Sequence, residues 1–288
     1  MNLRVTALAA LPAVLILSGC ATLGTLTPPV PGVGDFITVV TTLGSAVMPI
    51  GEEEENEIGR NIAANVAGKY GLVWDDELTR YIALVGKTVA EKSDRPGLSY
   101  HFAVLDTDII NAFSCPGGYV FVTRGTLGTI GSEAELAAVL AHEISHVANK
   151  DIIKEIEKQK FFQAGNKVAG TLLHADPAIL NAVTSFGTEL LFKGLSRSDE
   201  YTADRLSLVY TAKAGYEPAA FLTFLEKLKG GAGVPDAEVK LLSATHPKID
   251  DRIKKVRDEI NEMSDQGQGG RLLTERYIEH VRFQAGLR

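Results

Sequence analysis

The sequence predicts an α+β fold, mainly helical, with one small β-sheet between two helical stretches. Three observations carry this. Apolar residues recur at helical spacing from Ile58 to Val89, the runs Tyr100–Leu105 and Tyr119–Thr123 have strand character, and everything from Ser132 onward is again mainly helical. Composition fits a folded globular chain: 288 residues, 45% hydrophobic, 23% charged. No apolar run reaches the roughly 18–20 residues that span a bilayer, so a polytopic membrane protein is excluded. A net charge of −7 argues against a nucleic-acid partner. Two cysteines, Cys20 and Cys115, cannot build a disulfide scaffold.

Residues 1–20 read as an address. Arg4 precedes an apolar stretch, Val5 to Leu17, too short for a normal membrane span and suited to a secretory signal. It ends in Leu17-Ser18-Gly19-Cys20, which resembles the lipobox of bacterial lipoproteins. The implied anchor is acyl chains on Cys20, and Ala21, not Asp, follows it, which favours the outer membrane over the inner. Cys115 is then a lone cysteine, expected to be buried and inert. Residues 21–50, with Pro28-Pro29 and Pro31-Gly32, read as a tether. From residue 51 to 288 the chain reads as one unit.

That unit opens with Glu52-Glu53-Glu54-Glu55, a charge run suited to a helix N-terminus and expected to be solvated. A second helix follows from Asp75 to Ala90, with Leu78, Ile82, Val85 and Val89 on one face. After the first strand, Ser114 to Gly118 reads as a turn before the strand Tyr119–Thr123. Ser132 with Glu135 predicts a capping-box start for the next helix. The stretch from Lys150 to Gly194 is apolar, and core packing is the expected use of its helices, with a lid or membrane-facing surface as the alternative.

The capped helix carries His142-Glu143-Ile144-Ser145-His146. Imidazoles four residues apart share one helix face and can hold one zinc ion, with the adjacent glutamate placed to take a proton from a metal-activated water. H-E-x-x-H arises by chance in roughly one chain in a hundred of this size, so its surroundings matter. At about 100° per residue, Val139, Leu140, Ile144 and Val147 form an apolar arc with Glu143 inside it. Ala138, Ala141, Ser145 and Ala148 lie opposite. A helix apolar or small all round that carries two histidines and a glutamate needs a partner for them, and a metal ion supplies one. A third ligand must come from further on. Glu200 is the candidate, sharing a helix face with Asp204, although spacing leaves Glu189 and Asp199 open.

HEISH, the later SRSDEYTAD, the upstream NAFSCPGGYVFVTRG and the downstream THPKIDDR together resemble the zinc metalloprotease family of the CAAX prenyl endopeptidase and HtpX type, in particular its periplasmic, BepA-like lipoprotein members. The resemblance implies a zincin-type fold whose edge strand lines the active site. It implies one zinc on His142, His146 and Glu200, with Glu143 as general base and Asp204 holding a ligand histidine. His246 and Arg252 are implied to act near the metal, steadying the oxyanion or, for the histidine, filling the open zinc position at rest. Asn111-Ala112-Phe113 resembles the substrate-binding edge strand, where main-chain hydrogen bonds would hold an extended peptide. The expected activity is endoproteolysis of unfolded or misassembled envelope proteins in the periplasm, with outer-membrane assembly machinery as a candidate partner. The alternative is a lipid-anchored chaperone or assembly factor with little proteolysis.

Overall fold

The computed structural model describes residues 49–164, 177–230, 246, 249–265 and 269–282, with side chains of 160–164, 264, 265 and 282 excepted. The signal, Cys20 and nearly all of the tether lie outside them, as does the apolar stretch around Val168 and Leu172. Among the described residues no helix is long and apolar enough to cross a membrane.

Helix α1 (Glu52–Tyr70) is followed by α2 (Asp76–Ala90), whose N-cap Asp75 accepts a hydrogen bond from Leu78 N. Strands β1 (His101–Leu105), β2 (Ala112–Cys115) and β3 (Tyr119–Thr123) form one sheet in the order β1-β3-β2. β1 runs parallel to β3, and β2 antiparallel to it. The expected turn therefore begins later than Ser114: Ser114 and Cys115 belong to β2, and only Pro116-Gly117-Gly118 make the connection. Its sharpness requires glycine. Gly117 and Gly118 have φ of 72° and 93°, and a Cβ on Gly118 would stand 2.4 Å from Ser99 O.

Pleating decides what the strands deliver. Val120, Val122 and Ala112 face the larger apolar core with α2, while Phe121, Phe113 and Cys115 face a second core built with α1. Ser114 alternates with Phe113 and so shares the side of Ala112. β2 ends the sheet, and among the described residues no strand pairs with its outer edge.

After α3 (Arg124–Thr129) comes α4 (Glu133–Ala148), the helix of the H-E-x-x-H motif, buried continuously from Glu133 to Val147. Ser132 Oγ accepts from Glu135 N, but the reciprocal half of the expected capping box is absent. Glu135 instead accepts from Gly131 N at 3.1 Å and pairs with Lys227 at 2.6 Å, a charge partner stronger than the cap amide. Then follow α5 (Asp151–Ala164), α6 (Pro177–Lys193), α7 (Arg197–Lys213), α8 (Ala219–Gly230), α9 (Ile249–Asp265) and the short α10 (Thr274–Tyr277). Ile152, Ile153 and Ile156 of α5 and Ile179, Val183 and Phe186 of α6 are buried in the second core, which is core packing for the described part of that stretch.

The acidic run at the start of α1 is not uniformly solvated. Glu52 and Glu53 are exposed, but Glu55 lies a turn before Ile58 on the inward face and is fully buried. It pairs with Arg95 at 2.6 Å and Lys150 at 2.9 Å and accepts from Gly117 N at 3.3 Å. Arg95 also donates to Val147 O at the end of α4. One buried carboxylate thus ties the catalytic-motif helix to the β2–β3 connection. At the other end of α4, Glu133 accepts from Tyr81 and Tyr216 hydroxyls at 2.8 and 2.7 Å and pairs with Arg276.

Candidate metal centre

His142 and His146 leave α4 one turn apart, so their rings meet edge to face with centroids 4.8 Å apart. Their Nε2 atoms stand 3.3 Å from each other. Both rings are buried, and each has its other nitrogen against a carboxylate. His146 Nδ1 is 2.7 Å from Asp151 Oδ2, and His142 Nδ1 is 3.1 Å from Asp204 Oδ1. The His142 contact is off-axis, so it holds charge more than it forms an aligned hydrogen bond. An ionised carboxylate can only accept, so each Nδ1 carries a proton, and a neutral ring then presents its Nε2 lone pair.

α7 brings the third group. Its N-terminus is set by Ser196, which caps Asp199 N while Asp199 returns the bond to Ser196 N. Asp199 is spent on that cap at the surface, and Glu189 pairs with Lys193 one turn on within α6. Of the three carboxylates that spacing left open, Glu200 is the one at the imidazoles: Oε1 is 3.6 Å from His146 Nε2 and Oε2 is 3.6 Å from His142 Nε2. His246 closes the group from the far side, with Nδ1 2.8 Å from Glu200 Oε2 and its ring 5.4 Å from that of His142. One ligand atom from each of His142, His146, Glu200 and His246 lies within 4.8 Å of the others.

This donor set fits a divalent cation. Two Nε2 atoms face each other at 3.3 Å, which requires a positive charge, a proton or a metal ion, between them, and Glu200 Oε1 is buried without a donor. A positive ion among them satisfies all three. The electrostatics agree. Burial favours the neutral His142 ring, but Asp204 and Glu200 outweigh it and lift the pKa to about 9. Burial likewise opposes the Glu200 charge, yet His246, His142 and Arg252 hold its carboxyl well below the usual range.

Asp204 is itself gripped. Arg252, buried, donates from Nε and Nη2 to the two Asp204 oxygens at 2.9 and 2.6 Å, the forked geometry that suits carboxylate. That grip outweighs burial and holds the Asp204 pKa at about 2. Only Arg252 Nη1 is turned toward Glu200, at 3.6 Å.

Two groups escaped the sequence reading. Asp151, at the first position of α5, holds His146, although its place five residues after the motif's second histidine was a usable signal. Ser114 Oγ donates to Glu143 Oε2 at 2.8 Å, in a fully buried contact that follows from its inward place in β2. Asn111 and Ala112 border an apolar pocket beside His142 and Glu143. The Phe113 ring points to the other face of the sheet, stacked on Tyr70 at 5.7 Å, so among its neighbours it is the backbone that faces the cleft. Cys115 is fully buried, and burial raises its thiol pKa beyond the range in which it would react.

Comparison with known proteins agrees with this geometry. The sequence matches Peptidase family M48 over residues 76–260. It is 28% identical over 257 residues to the beta-barrel assembly-enhancing protease of Escherichia coli, a match covering 87% of this chain and 52% of that protein. It is 33% identical over 168 residues to the mitochondrial metalloendopeptidase OMA1 of Arabidopsis thaliana, covering 58% of this chain and 33% of the relative. With the corresponding protein of Schizosaccharomyces pombe the identity is 30% over 184 residues, covering 64% and 53%. The chain thus spans about half or less of the length of these relatives. The family match runs from the first turn of α2 into α9 and includes every helix that contributes to the donor cluster: the chain belongs to peptidase family M48, a metalloprotease family.

Proposed function

We propose that this protein is a zinc-dependent endopeptidase, held at the bacterial envelope by lipid on Cys20, that cuts unfolded or misassembled envelope proteins. The observation that carries the enzymatic part is the convergence of two bare imidazole nitrogens and a buried Glu200 oxygen on one point. Two nitrogens and a carboxylate oxygen form a donor set suited to zinc with one position open. His142, His146 and Glu200 would hold the ion. Bound there, zinc supplies Lewis-acid chemistry: it acidifies a water and polarises a scissile carbonyl.

The remaining chemistry belongs to the chain. Glu143 is the base that takes the proton and returns it to the leaving amine. Ser114 fixes the direction of its carboxylate. Asp151 and Asp204 keep the imidazoles in the tautomer that turns Nε2 inward. Arg252 acts through Asp204. His246, bonded to Glu200 on the open side, supports the role of filling that position until substrate arrives. The unpaired outer edge of β2 suits an extended peptide bound by its main chain.

The envelope address rests on the lipobox-like ending at Cys20, and Ala21 supports the outer membrane. The name of the Escherichia coli relative supports barrel-assembly machinery as the partner class. The test is purified protein, zinc and an unfolded substrate such as casein. Cleavage is expected, abolished by a chelator, and about 10²–10⁴-fold lower in Glu143→Gln, which still binds zinc. Binding of casein with no chelator-sensitive cleavage would favour the chaperone alternative. Incorporation of labelled fatty acid, lost in Cys20→Ala, tests the anchor.

A further inference from the structure

Glu143 and His146 are each held by a residue next to a turn. Ser114 holds Glu143, and Gly117 follows it in the β2–β3 connection with a φ of 72°. Asp151 holds His146, and only Asn149 and Lys150 separate α4 from α5, which Asp151 begins.

Lys150 makes that link in an uncommon way. Its φ is 57°, in the left-handed region, at a position after the helix C-cap that is usually glycine. A Cβ makes this conformation costly. Its N–H bonds to Val147 O and its carbonyl accepts from Lys154 N, so one residue closes α4 and opens α5. The turn aims Asp151 Oδ2 at His146 Nδ1, 2.7 Å away. The lysine's own side chain offsets the cost of the turn: Nζ is 2.9 Å from Glu55 Oε2.

Glu55 meets both turns. Its Oε1 accepts from Gly117 N at 3.3 Å while Oε2 pairs with Lys150. Arg95 forks onto the two oxygens at 2.6 and 3.2 Å and reaches on to Val147 O in the last turn of α4. Helix α1 is built to lie this close. A Cβ on Gly59 would stand 1.7 Å from Pro116 O, and one on Gly117 would stand 2.9 Å from Asn56 Cα. Glu55 borders neither pocket beside Glu143, so any effect on the reaction passes through these turns. We infer that Glu55 is a positioning residue for peptide hydrolysis: through Lys150 it keeps Asp151 on His146, and through Gly117 it keeps Ser114 on Glu143. The inference rests on the peptidase reading above.

The test uses the full chain, with zinc affinity from chelator competition and kinetics on a fluorogenic peptide built on a site cut in casein. Glu55→Gln keeps the side chain's shape, and because Arg95 and Lys150 both reach solvent it strands no buried cation. It should lower kcat about fivefold with KM unchanged, and zinc affinity about fivefold. Two Lys150 variants isolate the link. Lys150→Ala loses the ion pair but keeps the Cβ, so Asp151 should leave His146 and zinc affinity should fall about fivefold. Lys150→Gly also loses the pair but takes a φ of 57° freely, so affinity should stay within about twofold of the wild type. In metal-free protein carrying isotope-labelled histidine, the His146 Nδ1–H resonance should persist in Lys150→Gly and be lost to solvent exchange in Lys150→Ala. Equal zinc affinity in the two Lys150 variants would overturn the inference and leave the peptidase reading intact. So would a Glu55→Gln protein that unfolds at lower urea yet keeps wild-type kcat and zinc affinity. If Glu55→Gln does not fold, the two Lys150 variants decide. A wild type that cuts no casein would overturn the peptidase reading, while zinc affinity and the His146 resonance would still decide whether Glu55 holds the link.

Discussion

His142 and His146 carry the same ring on the same helix and meet the same Glu200, yet they are held in different ways. His146 is held locally, by Asp151 in the first turn of the helix that follows. His142 is held from afar, by Asp204 on α7, and Asp204 in turn by Arg252 on α9. The first arrangement needs only the short link between α4 and α5. The second needs three helices docked correctly, and it buries an ion pair whose parts cannot be removed singly without leaving a charge uncompensated. One side of the centre is therefore coupled to the fold as a whole, and the other side to a turn.

The largest effect should come from breaking the distant side. Asp204→Ala leaves Arg252 buried without its forked partner, with only the longer contact to Glu200, and is expected to lose about 3–5 kcal/mol of stability, read by urea unfolding. Zinc affinity should fall about 100-fold at the same time, read by chelator competition. A pH titration sharpens the contrast. In the metal-free protein Asp204 and Glu200 hold a proton on His142, with a pKa of about 9, and zinc must expel it. Affinity should therefore rise with pH up to about 9, by at most about tenfold per unit, and then flatten. Raising the pH removes a competitor, so the slope is positive, and Asp204→Ala should make it shallower.

The local side should give a smaller effect. Asp151→Asn removes the charge behind His146 but strands no buried cation, so about a tenfold loss of zinc affinity is expected with the unfolding midpoint little changed. If Asp151→Asn destabilises the protein as much as Asp204→Ala, the distinction between local and distant support fails. Smallest is Ser114→Ala, which frees the Glu143 carboxylate. A drop of roughly five- to tenfold in kcat with KM and zinc content unchanged is the expected signature, restored in part by Ser114→Thr.

The same contrast explains what could be read from the sequence. Periodicity and alternation are local, so α1, α2, β1, β3 and the buried course of α4 were legible. The side-by-side placement of His142 and His146 follows from helix geometry alone. Glu200 was one of three carboxylates on spacing, and the choice depends on Asp199 being drawn into a cap and Glu189 into a pair on α6. Ser114 looked like a turn because Pro116 and two glycines follow it, and only pairing with β3 places it in a strand. Glu55 looked solvated because its neighbours are acidic. Its burial depends on Arg95 and Lys150 arriving from two other segments. Position on a helix face was visible, and the partner that makes burial tolerable was not.

The central claim is a single cation held by His142, His146 and Glu200. Elemental analysis of purified protein measures it most directly. One zinc per chain is expected in the wild type, with loss in His142→Ala and in Glu200→Gln under conditions where both remain folded. Stoichiometric zinc retained in both variants, or a folded wild type that takes up none at any zinc concentration, would contradict the account.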